Sequence, residues 1–138
     1  MYLFIAALAV DASCNKTYNV DSKTINSPNY PRSYPESKHC TWHVGAPTGL
    51  KIRVETFPYS MDHDIRSTDC NWDSLKIYDG SSNCSRRVAN LCGRNAFSGM
   101  NSSTNNIFFE FNSDDAVVYE GFHIILALIG IKMDFIIN

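Results

Sequence analysis

The sequence predicts an all-β protein, an antiparallel two-sheet β-sandwich, and three observations carry that prediction. No stretch repeats apolar residues at helical spacing over three turns. Several short runs instead alternate apolar with polar positions, or are rich in β-branched and aromatic residues, as half-buried strands are. Between the runs sit clusters of Pro, Gly, Asn and Asp, which preset φ, permit positive φ or bond their own backbone in turns. At 138 residues the chain suits a single domain, and 44% apolar with 12% aromatic residues against 19% charged is a globular composition, not a disordered one. No internal repeat or low-complexity linker divides it.

Residues 1–12 (MYLFIAALAVDA) are apolar from Tyr2 to Val10 and end in the small-residue pattern Val10-Asp11-Ala12, which reads as a signal peptide cut before Ser13. The segment is short and has no Lys or Arg near Met1, so a buried strand is the alternative. The clearest expected strands follow at Thr41–Val44, Leu50–Val54, Leu75–Tyr78, Ile107–Phe111 and Gly121–Ile125. Ser27–Pro31, Ala46–Gly49 and Asp79–Ser82 have turn composition. Phe122 to Ile137 is nearly all apolar but is interrupted by His123, Lys132 and Asp134, whereas a membrane span needs about 20 residues with few charges. The expectation is therefore a domain over residues 13–126 and an apolar C-terminal tail over 127–138. Membrane contact through that tail is the lesser alternative, and a truncated product would end in the same way.

Five cysteines, Cys14, Cys40, Cys70, Cys84 and Cys92, include no Cys-x-x-Cys pair and no Cys/His grouping at zinc-finger spacing, so disulfides are the better expectation. Glycosylation acceptors occur at Asn15, Asn83 and Asn101. Leader, cysteines and acceptors together point to a secreted, extracellular protein. The formal charge of -2 lacks the basic excess that a phosphate backbone demands, which argues against nucleic acid as partner.

The order Ser27-Pro28-Asn29-Tyr30-Pro31-x-x-Tyr34-Pro35, then Cys40-x-Trp42, resembles the opening of a CUB domain. The likeness continues through Cys70-x-x-Asp73-x-Leu75-x-Ile77-Tyr78-Asp79-Gly80, Leu91-Cys92-Gly93, Phe109-x-Phe111-x-Ser113-Asp114 and Gly121-Phe122. The resemblance implies a jelly-roll-like two-sheet sandwich with disulfides Cys14–Cys40 and Cys70–Cys92. Cys84 has no counterpart in that four-cysteine pattern. It is either a free thiol, open to an intermolecular bridge, or a competitor of Cys92 for Cys70.

Five of the 14 acidic residues, Asp62, Asp64, Asp69, Asp73 and Asp79, fall within a short stretch expected to be a loop entering a strand. Hard cations such as Ca2+ take six to eight oxygens, and carboxylates converging from separate loops supply them. The resemblance to calcium-binding CUB domains implies Asp62, Asp73 and Asp114 as metal ligands. It further implies that the Tyr34 hydroxyl orients a carboxylate or a bound water, and that main-chain oxygens near Ala116 and Val117 complete the shell. The family's usual Glu is Asp at position 62, and Asp64 competes for the same role. The plain alternative is that these Asp residues cap turns.

The function so implied is calcium-dependent recognition of a partner protein through its Lys or Arg side chains. Two alternatives stand beside it, a glycan-binding secreted CUB protein and a fragment of a CUB-containing secreted protease. No Gly-x-Ser-x-Gly elbow, phosphate loop or dinucleotide fingerprint is present, so the chain itself is not expected to be an enzyme. His39 and His43 would stand roughly 13 Å apart along a strand, too far for a metal pair. Trp42 is expected in the core, while His63 and the Arg86-Arg87 pair are expected in solvated loops.

Overall fold

In the computed structural model, residues 14–19 and 24–130 are described, and every element among them is a strand. In chain order these are β1 (Asn15–Asn19), β2 (Thr24–Asn26), β3 (His39–Gly45), β4 (Lys51–Val54), β5 (Phe57–Met61), β6 (Ser74–Asp79), β7 (Arg86–Leu91), β8 (Gly93–Phe97), β9 (Met100–Asn101), β10 (Asn106–Asn112) and β11 (Gly121–Ile129). One sheet has the order β1-β3-β10-β6-β7, the other β8-β5-β11-β4-β9, with β2 paired to β11. The expected two-sheet sandwich is thus present. Among the described residues no helix is long and apolar enough to cross a membrane. The expected signal peptide, and the part of the tail from residue 131 onward, lie outside the described residues.

The inward faces follow from strand alternation. In β3 and β10 every second residue is buried, and the antiparallel register sets Val44 against Ile107, Trp42 against Phe109 and Cys40 against Phe111. The facing sheet contributes Ile52 and Val54 from β4, Phe57, Tyr59 and Met61 from β5, and Phe122, Ile124 and Leu126 from β11. Aromatic edges join the layers: Phe122 meets Trp42 at 6.0 Å and 85°, and Phe111 at 5.5 Å and 71°. Trp42 is therefore a core residue, as expected.

Both disulfides expected from the motif are formed, closing separations of 26 residues (Cys14–Cys40) and 22 residues (Cys70–Cys92). Chain-entropy models credit loops of this length with about 3 kcal/mol each. Cys84 is free and exposed. Among the described residues all strand pairs are antiparallel except β1 with β3, which run parallel from Asn15↔Thr41 onward. The exception has a covalent reason: the Cys14–Cys40 bridge joins the residues immediately before that first pair, so both strands leave it side by side.

Six strands, β1, β2, β5, β7, β8 and β9, lie outside the clearest runs of the sequence, and three of them show why. β5 contains Pro58, which pairs with Ala96 of β8 but lies just beyond the β5–β11 ladder, where only Tyr59 and Ser60 are paired. β7 carries Arg86 and Arg87, placed in a loop by sequence, as exposed strand residues. β8 is largely exposed and shows no apolar alternation.

The opening and closing motifs meet at one point. Phe122 N–H donates to Ser27 Oγ at 3.0 Å, and Ser27 N–H donates to the Phe122 carbonyl at 3.0 Å. Gly121, at φ +84°, lies so close that a Cβ there would collide with Ser27 Oγ. Gly121→Ala adds left-handed backbone strain to overpacking, and should cost about 2–5 kcal/mol in urea unfolding.

Candidate metal centre

Three loops converge at one end of the sandwich. Residues 27–38 bring Tyr34, residues 62–73 bring Asp62 and Asp73, and residues 113–120 bring Asp114. Backbone bonds tie the first loop to the third: Tyr34 N–H to the Tyr119 carbonyl at 3.0 Å, Ser37 N–H to the Asp114 carbonyl at 2.7 Å, and Ser113 N–H to the Lys38 carbonyl at 2.9 Å. Buried Ser113 reinforces the seam, accepting the Lys38 N–H at 3.0 Å and donating to the Pro35 carbonyl at 2.8 Å.

Asp73 is the hub. Its side chain has no exposure to water, yet its oxygens are occupied on two sides. The Tyr34 hydroxyl donates to Oδ2 at 2.6 Å, and the Asp114 N–H donates to Oδ1 at 2.8 Å. The same tyrosine oxygen accepts the Asp62 N–H at 3.0 Å, so one buried side chain joins both ends of the 62–73 loop. The Ala116 N–H closes a turn onto Asp114 Oδ1 at 3.1 Å.

Carboxylate oxygens of Asp62, Asp73 and Asp114 lie within 4.8 Å of one another. Asp62 is 7% exposed, and its Oδ2 has no hydrogen-bond partner among the described residues. Burial pushes the Asp73 carboxyl up to about 6, with the Asp114 charge adding to the shift and the bonds from Tyr34 and Asp114 N–H opposing it. Burial, together with the bond to Asp73, raises the Tyr34 hydroxyl far above its ordinary value, so it remains a donor.

The acids expected from sequence are not all brought here. Asp64 turns away, accepting the Arg66 N–H at 2.9 Å and its guanidinium at 3.0 and 3.3 Å. Asp79 receives the Ser103 N–H at 2.9 Å, and Asp69 is exposed. His39 lies 2.7 Å from Glu110 Oε2, and His43 lies 2.7 Å from Asn106 Oδ1, so the two histidines have separate partners. Asn15, Asn83 and Asn101 are all exposed. Sequence reasoning did not reach the double use of the Tyr34 hydroxyl or the bracing by Ser113. The one signal for the latter is its place in the Ser113-Asp114 pair.

The sequence model of the CUB domain family matches residues 14–126, and the chain belongs to that family. Among curated proteins, Tolloid-like protein 1 of Homo sapiens is 30% identical over 112 residues, covering 81% of this chain and 11% of the relative. Bone morphogenetic protein 1 of Xenopus laevis is 33% identical over 112 residues, covering 81% and 15%. The chain therefore spans a small part of the curated relatives it matches. Among solved structures, the extracellular region of zebrafish Gpr126/Adgrg6 has a TM-score of 0.74 at 29% identity, over 87% of this chain and 15% of that one. The CUB2 domain of MASP-1 bound to Ca2+ has a TM-score of 0.72 at 23% identity, over 84% and 99%. CUB domains are generally extracellular protein–protein interaction modules, non-catalytic in themselves, although some relatives are proteases through other domains.

Two outcomes follow from this geometry. Tyr34→Phe leaves Asp73 Oδ2 and the Asp62 N–H short of a buried partner, and should cost about 1–3 kcal/mol in urea unfolding. The Asp73 carboxyl, at about 6 in the folded state, lies above the roughly 3.9 of an unfolded chain. Between those values the folded state holds a proton that the unfolded chain has released, so this group's contribution makes stability fall as pH rises from about 4 to about 6. In chelator, urea unfolding across that window should show the slope in the native chain and lose it in Asp73→Asn.

Proposed function

We propose that this domain is an extracellular, calcium-dependent protein-recognition module. Asp62, Asp73 and Asp114 hold the ion, and the loop end so ordered receives a Lys or Arg side chain of a partner protein. The observation that carries this proposal is the buried Asp62 Oδ2. An unpartnered carboxylate oxygen beside two further carboxylates is costly unless a cation satisfies it. Oxygens about 2.3–2.6 Å from a single calcium lie at most about 5 Å from each other, and the three carboxylates meet that condition. The all-oxygen donor set suits a hard cation, and a structural neighbour of the same fold was solved with Ca2+ bound.

Each residue has a distinct part. Tyr34 positions Asp73 and the Asp62 backbone and leaves the remaining carboxylate lone pairs for the ion. Main-chain carbonyls near Ala116 and Val117 supply further oxygens. Bound calcium neutralises the acids and ties the 62–73 and 113–120 loops together. Three carboxylates against a divalent ion leave one negative charge, which a Lys or Arg side chain meets in a short charge-assisted contact. The two disulfides and the exposed acceptors at Asn15, Asn83 and Asn101 support a secreted glycoprotein.

Calorimetric titration of calcium into the chelator-treated chain tests the proposal. The native chain should bind saturably, and calcium at a hundredfold excess over Kd should add about 2.7 kcal/mol to its stability. Asp73→Ala and Asp114→Ala should abolish the binding. A folded, disulfide-intact chain that takes up no calcium would overturn the proposal.

A further inference from the structure

The loops that gather the carboxylates also carry most of the exposed large apolar side chains. Of the six among the described residues, Ile65 and Trp72 lie between Asp62 and Asp73, Val117 and Tyr119 follow Asp114, Tyr30 precedes Tyr34, and Ile125 alone stands elsewhere, on β11. Scattered exposed apolar residues are ordinary, but a group around one site marks an interaction surface. Trp72 is the chain neighbour of Asp73. Ile65 and Val117 are each three residues from a carboxylate of the cluster, and three residues of extended chain reach at most about 11 Å. Tyr119 is tied through its carbonyl to the Tyr34 N–H. Ile65 is 84% exposed, Val117 52% and Trp72 41%, so none of the three is used up in the core. Tyr30, by contrast, is stacked on His123 at 5.5 Å.

We infer that Ile65, Trp72, Val117 and Tyr119 form an apolar rim around the acid cluster, and that the site selects a partner segment whose Lys or Arg is flanked by apolar side chains. This inference rests on the calcium-dependent recognition proposed above and adds the identity of the flanking residues. Charge complementarity sets the partner's cation over the cluster. The rim then removes water from around that contact, which strengthens it and makes the flanks selective. A lipid surface fits less well, because the centre of the patch is acidic and anionic headgroups would be repelled.

The test uses the whole chain in calcium buffer over surfaces coated with either of two peptides, one with a central Lys between leucines, the other with the same Lys between serines. The native chain should prefer the leucine-flanked peptide by at least about tenfold. Ile65→Ser and Trp72→Ser should erase that preference while leaving calorimetric calcium binding unchanged, and Ile125→Ser should preserve it. Chelation or Asp114→Ala should abolish binding to both peptides. Equal affinity for the two peptides, or a preference untouched by the rim variants, overturns the rim and leaves calcium-dependent recognition standing. Leucine-flanked binding that survives chelation overturns the calcium-dependent reading instead. Binding to phosphatidylcholine–phosphatidylserine vesicles that is lost in Ile65→Ser and Trp72→Ser would make the partner a membrane and overturn the inference.

Discussion

The loop end of this domain is organised by a carboxylate that water does not reach. Asp73 is buried at the junction of three chain segments, and the Tyr34 hydroxyl and the Asp114 N–H hold its two oxygens in place. Because an ionised carboxyl in such a place is costly, its neighbours are constrained to be donors or a cation. That constraint reaches outward. It sets where Asp114 enters its turn, where the 62–73 loop begins and ends, and how the 27–38 segment docks. The Cys70–Cys92 bridge holds the same loop covalently, three residues before Asp73.

The apolar frame makes this arrangement affordable in structural terms. Phe111 packs edge-on against Tyr34 at 5.0 Å and against Phe122 at 5.5 Å, so the ring that presents the hydroxyl is seated on the sandwich core. Tyr34 is only 1% exposed, and its donor direction is thus determined by packing rather than by solvent. Behind it, Ser27 and Gly121 fasten the first loop to the last strand. A rigid scaffold with chemistry on its loops is a common division of labour, and here one aromatic side chain belongs to both.

Much of this was legible in the sequence, and the exceptions have physical causes. β3 and β10 stand out because each has one wet and one dry face, and strict alternation records that. β8 has little burial to record, and β5 is interrupted by Pro58, which is harmless where one ladder ends but looks like a breaker in one dimension. Arg86-Arg87 has loop-like composition, yet sits on a strand at a sheet edge, where charge is tolerated on exposed positions. The motif brought out Tyr34, Asp73 and Asp114 because their spacing to cysteines and turns is distinctive. It could not choose between Asp62 and Asp64, two residues apart. That choice depends on Arg66, which engages Asp64, and on the Tyr34 hydroxyl, which captures the Asp62 backbone.

The groups of the acid cluster come from places far apart along the chain. Tyr34 meets Asp73 across 39 positions, and Asp114 meets Asp73 across 41. Nothing local prepares these encounters: Asp114 reaches Asp73 only once β10 and β6 have found their register within one sheet, and Asp62 and Tyr34 arrive from segments that follow β5 and β2, strands of the other. The loop end is accordingly an all-or-nothing feature of the completed sandwich. A chain that has made its hairpins but not closed its layers has every acid and no cluster, so whatever engages the cluster is in effect reading whether the protein has finished folding.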